Sequence, residues 1–225
     1  MVDLWNIPNE EINMVKINSN IARVFCIGRN YVEHVQELSN IIPAKPVVFI
    51  KPASCLVGPG EKIHFPKHGQ ELHHEVEIVV QVGREGKATT EEEALSYISA
   101  ITVGLDLTLR DVQEDLKKKG LPWEIAKAFE QSAPLGDFIP YDGSLDLNHI
   151  SFGCQVNGIT RQRGNTVDMI FSIEKLLVEL CKIWVLKPGD LIYTGTPSGV
   201  GPLKIGDLIE AESDPIGSFS WSIVE

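Results

Sequence analysis

The segment His73–Val82 reads HHEVEIVVQV, and its reading decides the fold. Its β-branched residues make it a long strand. Side chains alternate along a strand, so Val76, Ile78 and Val80 share one face, directed at the core, while Glu75 and Glu77 share the other. Two carboxylates about 6–7 Å apart on one face repel each other unless water solvates them or a cation bridges them. A solvated face is common in antiparallel sheets, yet the next residue on it is Val79. The pattern fits a metal site and a wet face equally well. His73 and His74 point to opposite faces.

Outward from this strand, the same periodicities place other elements. ARVFCI, residues 22–27, is a buried strand, Asn30–Leu38 a short helical or lid segment and Val47–Ile50 a strand. Thr90–Ile98 is a helix with Thr90 and Glu93 at capping-box spacing. Ala100–Leu107 is a buried strand, and Thr108–Lys119 a helix that stops at Gly120. Phe152–Val156 runs into Asn157-Gly158, a strong hairpin signal. Ser172–Trp184 is an amphipathic helix capped by Ser172, with Ile173, Leu176, Leu177, Leu180 and Ile183 on one face. Asp190–Thr194, Asp207–Glu212 and Phe219–Val224 are strands. The string L-K-x-G-D-L-I occurs at Leu186–Ile192 and Leu203–Ile209, as two similar turns leading into strands. Many strands, few helices and no regular βαβ alternation predict an α+β, mainly β roll. The organisation expected is an N-terminal flap over 1–20 and one domain over 21–225.

Composition excludes several classes. The chain has 225 residues, 43% of them hydrophobic and 23% charged, and a net charge of −11. Nucleic-acid binding needs clustered Lys and Arg. The basic run, Lys117–Lys119, sits where a helix dipole favours cations. No apolar run reaches the roughly 20 residues that span a bilayer, and MVDLWNIPNEEIN lacks the basic and apolar regions of a signal peptide. Cys26, Cys55, Cys154 and Cys181 have apolar neighbours and no C-x-x-C spacing, which predicts buried free thiols and a cytoplasmic setting.

Several residues are placed where chemistry would need them. Asp106 interrupts the apolar strand AITVGLDL, and a buried Asp is costly unless paired or metal-bound. With Glu75 and Glu77 it makes three hard oxygen donors, suited to Mg²⁺ or Mn²⁺. His64, His68, His73 and His74 offer a competing zinc site, at spacings that match no usual zinc pattern. His34 and Glu37 are neighbours on one helical face, where a carboxylate orients an imidazole as a general base. A surface His–Glu contact is the commoner origin of such a pair. Arg29 just upstream suits bidentate carboxylate binding or an ordinary surface position. Lys127 lies among Ile125, Ala126, Ala128 and Phe129, to snorkel or to meet an anionic substrate. TGTPSGVGP (Thr194–Pro202) either brings backbone amides close to a ligand or is a plain tight turn. It is no phosphate-binding P-loop, and no nucleophile elbow or dinucleotide fingerprint occurs in the required context.

Taken together, GRNYVEHVQEL, VVFIKP, LHHEVEIVVQVG, GLDLTLRDVQ, KKKGLPWEIAKAFEQSAPLG, VNGITRQRGNTVDMIFSI and PGDLIYTGTPSGVGPLKIGD resemble the fumarylacetoacetate hydrolase superfamily. The likeness is to its small single-domain acylpyruvases and oxaloacetate decarboxylases, and it runs in family order from about Val24 onward. The resemblance implies a mixed β-sandwich roll and a homodimer. It implies Mg²⁺ or Mn²⁺ held by Glu75, Glu77 and Asp106, with water in place of the additional aspartate of larger relatives. It implies that His34 and Glu37 activate water from a lid, that Lys127 meets the substrate or its developing enolate, and that Arg29, Arg110, Gln113 and Thr196 position it. The implied reaction is C–C cleavage of a small 2-oxo acid through a metal-bound enolate, by acylpyruvate hydrolysis or oxaloacetate decarboxylation. Its alternatives are hydrolysis, decarboxylation or isomerisation of a fumarylpyruvate or hydroxymuconate-type compound, oxaloacetate keto–enol tautomerisation, and a ligand-binding protein without catalysis.

Overall fold

The computed structural model describes Ile21 and residues 23–225. The flap expected over 1–20 lies outside the described residues, as does Ala22. Two sheets form the body. One has six strands in the order Ile139–Pro140, Ile98–Leu105, Val76–Val82, Leu191–Tyr193, Arg23–Gly28 and Val47–Pro52. The other has five, in the order Ile159–Asn165, Ser151–Val156, Leu208–Ser213, Gly217–Val224 and Lys62–His64. Between them lies the main core, where Val76, Ile78, Val80 and Val103 meet Phe152, Cys154, Ile209 and Trp221. A second cluster, with Val24, Cys26, Val79, Leu191, Tyr193 and Phe138, covers the opposite face of the six-stranded sheet. That sheet is therefore buried on both sides, and a solvated face for Glu75 and Glu77 is ruled out: they are 4% and 1% exposed.

The predicted strand His73–Val82 is two strands, broken at Glu75. Leu72–His74 pairs with Thr108–Leu109 and Gly201–Pro202 in a three-stranded sheet, while Val76–Val82 belongs to the six-stranded one. At the step, the Val76 N–H donates to the Gln162 side-chain oxygen (3.1 Å) instead of a ladder carbonyl. The Glu75 carbonyl accepts from the Asp106 N–H at 2.8 Å, which brings the two acids together at the same break.

Other elements are shorter than the periodicity suggests. The helix expected over Thr90–Ile98 covers Glu91–Leu95, because Ile98 already opens a core strand. Thr90 accepts from the Glu93 N–H, but the Glu93 carboxylate reaches Thr89 rather than closing the box on Thr90. The helix expected over Thr108–Lys119 begins at Arg110 and ends on left-handed Gly120. Ser172 caps the helix Ile173–Cys181. Ile183 does not share its apolar face: it is 65% exposed, since the chain tightens after Cys181 and Trp184 packs against Phe25 instead. The Asn157-Gly158 turn has positive φ at both residues (53° and 75°), as a type I′ hairpin requires. All four cysteines are free and buried.

Candidate active site

Three segments converge at the break after His74. Glu75 and Glu77 come from the broken strand, Asp106 from the end of Ile98–Leu105, and Lys127 from the short helix Glu124–Lys127. Ligand atoms of Glu75, Glu77 and Asp106 all lie within 4.8 Å of one another, and all three residues are buried. Lys127 Nζ donates to Glu75 Oε2 and to Asp106 Oδ2, both at 2.7 Å. Arg110 pairs with Glu75 Oε1 and donates to Gln113 Oε1. Glu77 accepts the Gly195 N–H at 2.7 Å.

Sequence reasoning assigned no role to Lys51. It is fully buried, 2.8 Å from Asp106 Oδ1, and donates to the carbonyls of Leu107, Lys127 and Ser132. The signal that marks Asp106, a charge inside an apolar strand, is equally present in VVFIKP. Asn30 was also missed. Its amide donates to the carbonyls of Phe171 and Thr194 and its oxygen accepts from the Phe171 N–H, which anchors the chain entering the lid segment.

The electrostatics follow from this packing. Burial pushes the Glu75 carboxyl up, but the charges of Lys127, Arg110 and His34 outweigh it and hold it well below the usual range. Glu77 moves the other way: burial and the neighbouring charges of Asp106 and Glu75 push it well above. Burial alone would lower the Lys127 amine, yet Asp106 and Glu75 raise it, so it stays an ammonium.

The donor set fits a hard divalent cation. All three donors are carboxylates, and Asp106 Oδ1, although near Lys51, makes no hydrogen bond among the described residues. Lys51, Lys127 and Arg110 already match the three acids in charge, so a bound divalent cation would leave the cluster positive, in need of an anion. Among the described residues, none of the histidines joins a metal-ligand cluster. His64 and His68 bond backbone carbonyls, and His74 bonds Gln162.

Across the cavity, His34 is buried in the helix Val32–Glu37, with Nδ1 3.1 Å from Glu37 Oε2. Burial lowers its pKa; Glu75 and Glu37 oppose this without reversing it. Because Glu37 engages Nδ1, Nε2 is the nitrogen free to accept a proton. The Thr194–Pro202 loop supports both carboxylate groups: Gly195 donates to Glu77, and the Gly199 N–H donates to Glu37 Oε1 at 3.0 Å. Ser198 also donates to Glu33, docking the lid helix on the loop. Gly195 and Gly199 have φ of 106° and 94°, and a Cβ on Gly199 would stand 2.3 Å from the Arg161 carbonyl oxygen. The loop's glycines thus bring amides to the protein's own carboxylates.

His34, Lys127, Arg29, Arg110, Gln113, Thr196, Glu75 and Glu77 all line one cavity. Glu37 stands behind His34, and Asp106 behind Lys127. Every site residue expected from sequence therefore falls within one constellation.

Fold and cavity are those of a small, mainly β, single-domain enzyme built around an acidic centre. The chain belongs to the fumarylacetoacetate hydrolase family, matching the description "Fumarylacetoacetate (FAA) hydrolase C-terminal" over residues 23–224. It is 42% identical to the mitochondrial oxaloacetate tautomerase of Mus musculus over 200 residues, 89% of this chain and 90% of the relative. It is 42% identical to the mitochondrial oxaloacetate decarboxylase of Dictyostelium discoideum over 190 residues, 84% and 87% of the two chains. Fumarylpyruvate hydrolase from Pseudomonas aeruginosa, solved with Mn²⁺ and pyruvate, superposes with a TM-score of 0.87 at 35% identity, covering 91% of this chain and 90% of that one.

Proposed function

We propose that this protein cleaves a C–C bond of a small 2-oxo acid, hydrolysing an acylpyruvate or decarboxylating oxaloacetate. The observation that carries the reading is the pairing of the three-carboxylate cluster with an oriented, neutral His34 in one cavity. Glu75, Glu77 and Asp106 would hold Mg²⁺ or Mn²⁺, which supplies Lewis-acid polarisation of a 2-oxo carbonyl. The bound Mn²⁺ and pyruvate of the Pseudomonas enzyme support that choice of cation and substrate class.

The chain's own groups do the rest. Arg110, Gln113 and Thr196 donate to the substrate's carboxylate end and orient it. Lys127 supplies an ammonium where negative charge develops as the C3–C4 bond breaks and the pyruvate fragment becomes an enolate. For an acylpyruvate, His34 Nε2 takes a proton from water, which attacks the C4 carbonyl; Glu37 stabilises the resulting imidazolium. For oxaloacetate, the bond breaks by loss of CO₂ and no water is needed. Free space in the cavity is about 30 Å³, about the share of one water molecule in the liquid, so substrate enters as the lid helix lifts.

The name of the mouse relative favours a second reading, oxaloacetate keto–enol tautomerisation. It uses the same enolising site without breaking a carbon bond. A His34→Ala variant tests the base, and product release by wild type separates the two readings. Acetylpyruvate hydrolysis should fall at least about a hundredfold, the range of general-base catalysis. Unchanged hydrolysis would remove His34 as the base. Wild-type protein that interconverts oxaloacetate tautomers but releases neither CO₂ nor pyruvate would favour the second reading. The family resemblance also carries a homodimer as a proposal, and the buried free cysteines a cytoplasmic location. Light scattering at twice 24.9 kDa would support the former.

A further inference from the structure

The lysine run at the end of the helix Arg110–Lys119 is not uniform. Lys119 pairs with Asp115 at 2.7 Å on the surface, with its side chain 60% exposed. Lys117 is instead half-buried and turns into the cavity, its Nζ 5.5 Å from the centre of the Trp123 ring. Arg29 lines the same cavity from the turn after Arg23–Gly28. It is held in the left-handed region at φ 62°, and its Nε is buried without a hydrogen-bond partner among the described residues. Among the described residues, no carboxylate lies within ion-pair distance of Lys117 or Arg29. Arg110, by contrast, already pairs with Glu75 through one terminal nitrogen.

We propose that Lys117, with Arg29 beside it, forms a second anion subsite of the cavity that receives the distal carboxylate of a dicarboxylic 2-oxo acid. Lys117 thereby sets a preference for doubly over singly charged substrates. This deepens the 2-oxo acid reading and rests on it. Two neighbouring cations without an acid between them repel each other, and an incoming carboxylate relieves the repulsion. The surroundings of Lys117 bear this out. Burial, then the positive charges of Arg110 and Arg29, lower its amine to about 8; Glu75 opposes and Lys127 adds to the lowering. The aromatic face of Trp123 holds the amine without neutralising it. At neutral pH the chain as a whole is strongly acidic, so a dianion needs such a local reversal of field.

The test compares wild type, Lys117→Met and Lys117→Arg, with Mg²⁺ present, on acetylpyruvate (one carboxylate) and on oxaloacetate and fumarylpyruvate (two). In Lys117→Met the ratio of kcat/KM for either dicarboxylate to that for acetylpyruvate should fall at least tenfold, through KM. Lys117→Arg should restore most of it. In wild type the same ratio should decline as pH rises through about 8, and this decline should vanish in Lys117→Met. A ratio within twofold of wild type in Lys117→Met, or equal losses on both substrate classes, would overturn the proposal. Should wild type turn over none of these acids, the 2-oxo acid cleavage reading fails, and calorimetry decides the subsite alone. Wild type should then bind 2-oxoglutarate at least tenfold more tightly than 2-oxopentanoate, and Lys117→Met should bind the two alike. Equal binding by wild type would overturn the subsite.

Discussion

Lys51 carries more of the site's integrity than its absence from the cavity wall suggests. Its ammonium faces Asp106 and three backbone carbonyls in a fully buried setting. Removing Lys51 leaves Asp106 with Lys127 as its one ammonium partner and three buried carbonyls without their donor, and breaking a buried pair costs about 3–5 kcal/mol. Lys51→Met should therefore lower the unfolding free energy by about that amount in denaturant titration. A loss under about 1 kcal/mol would mean that Lys127 alone compensates Asp106. His34 gives a second residue-scale expectation, with the sign set by its lowered pKa. The folded state disfavours the imidazolium, so the stability His34 contributes is complete above the unfolded value of 6.5 and is lost as pH falls toward the depressed folded value. The hydrolysis rate should follow the same direction, with an acidic limb whose midpoint lies below 6.5 and that disappears in His34→Ala. A limb centred above 6.5 would contradict a buried, neutral base. At this scale much was legible. Glu75, Glu77, Asp106, His34, Glu37 and Lys127 announce themselves by charge against an apolar background or by helical spacing. Lys51 carries the same signal, but its meaning depends on Asp106, which is remote in the chain and adjacent only in the fold.

Among the elements, the two L-K-x-G-D-L-I strings make a matched comparison. In each, the aspartate carboxylate accepts the lysine N–H at 2.7 Å, the glycine takes a positive φ, and a strand follows. Their surroundings differ. Asp190 is buried and pairs with Arg23, whereas Asp207 is partly exposed and bonds Asn157. Asp207→Ala should cost about 1–2 kcal/mol, the worth of its hydrogen bonds from the Lys204 N–H and Asn157. Asp190→Ala should cost about 2–3 kcal/mol more, because Arg23 loses its counter-charge. Equal costs in denaturant melts would show that the turn alone, not the ion pair, sets the penalty. Turn chemistry of this kind is local, so the repeat, the Asn157-Gly158 hairpin and the Ser172 cap could be read from sequence. The break at Glu75 could not, since Gln162 and the partner strands that impose it lie elsewhere in the chain. Ile183 went astray for a related reason: helical spacing continues past Cys181, but the packing of Trp184 on Phe25 does not leave room for it.

For the molecule as a whole, the charge of −11 and the site oppose each other. Three acids are concentrated at one buried point, and Glu77 has no cationic partner among the described residues. A cation that binds only the folded state adds stability by mass action, about 2.7 kcal/mol at a hundredfold excess over Kd. For a chain of this size that raises Tm by about 5–10 °C. Mg²⁺ or Mn²⁺ should produce this shift in wild type and not in Asp106→Ala, provided the variant melts cooperatively. The fold class was readable because strand content and turn signals pervade the sequence. The burial of the six-stranded sheet on both faces was not, because it depends on which segments return to cover Val79 and Tyr193.

The most direct measurement of the central claim is pyruvate release from acetylpyruvate and oxaloacetate by wild type, before chelation, after exhaustive chelation and after adding back Mg²⁺ or Mn²⁺. Glu75→Ala and Asp106→Ala would be run alongside. The expected result is release that stops on chelation, returns with the cation and is absent from both variants. Full release from chelated wild type, or from either variant, would contradict it.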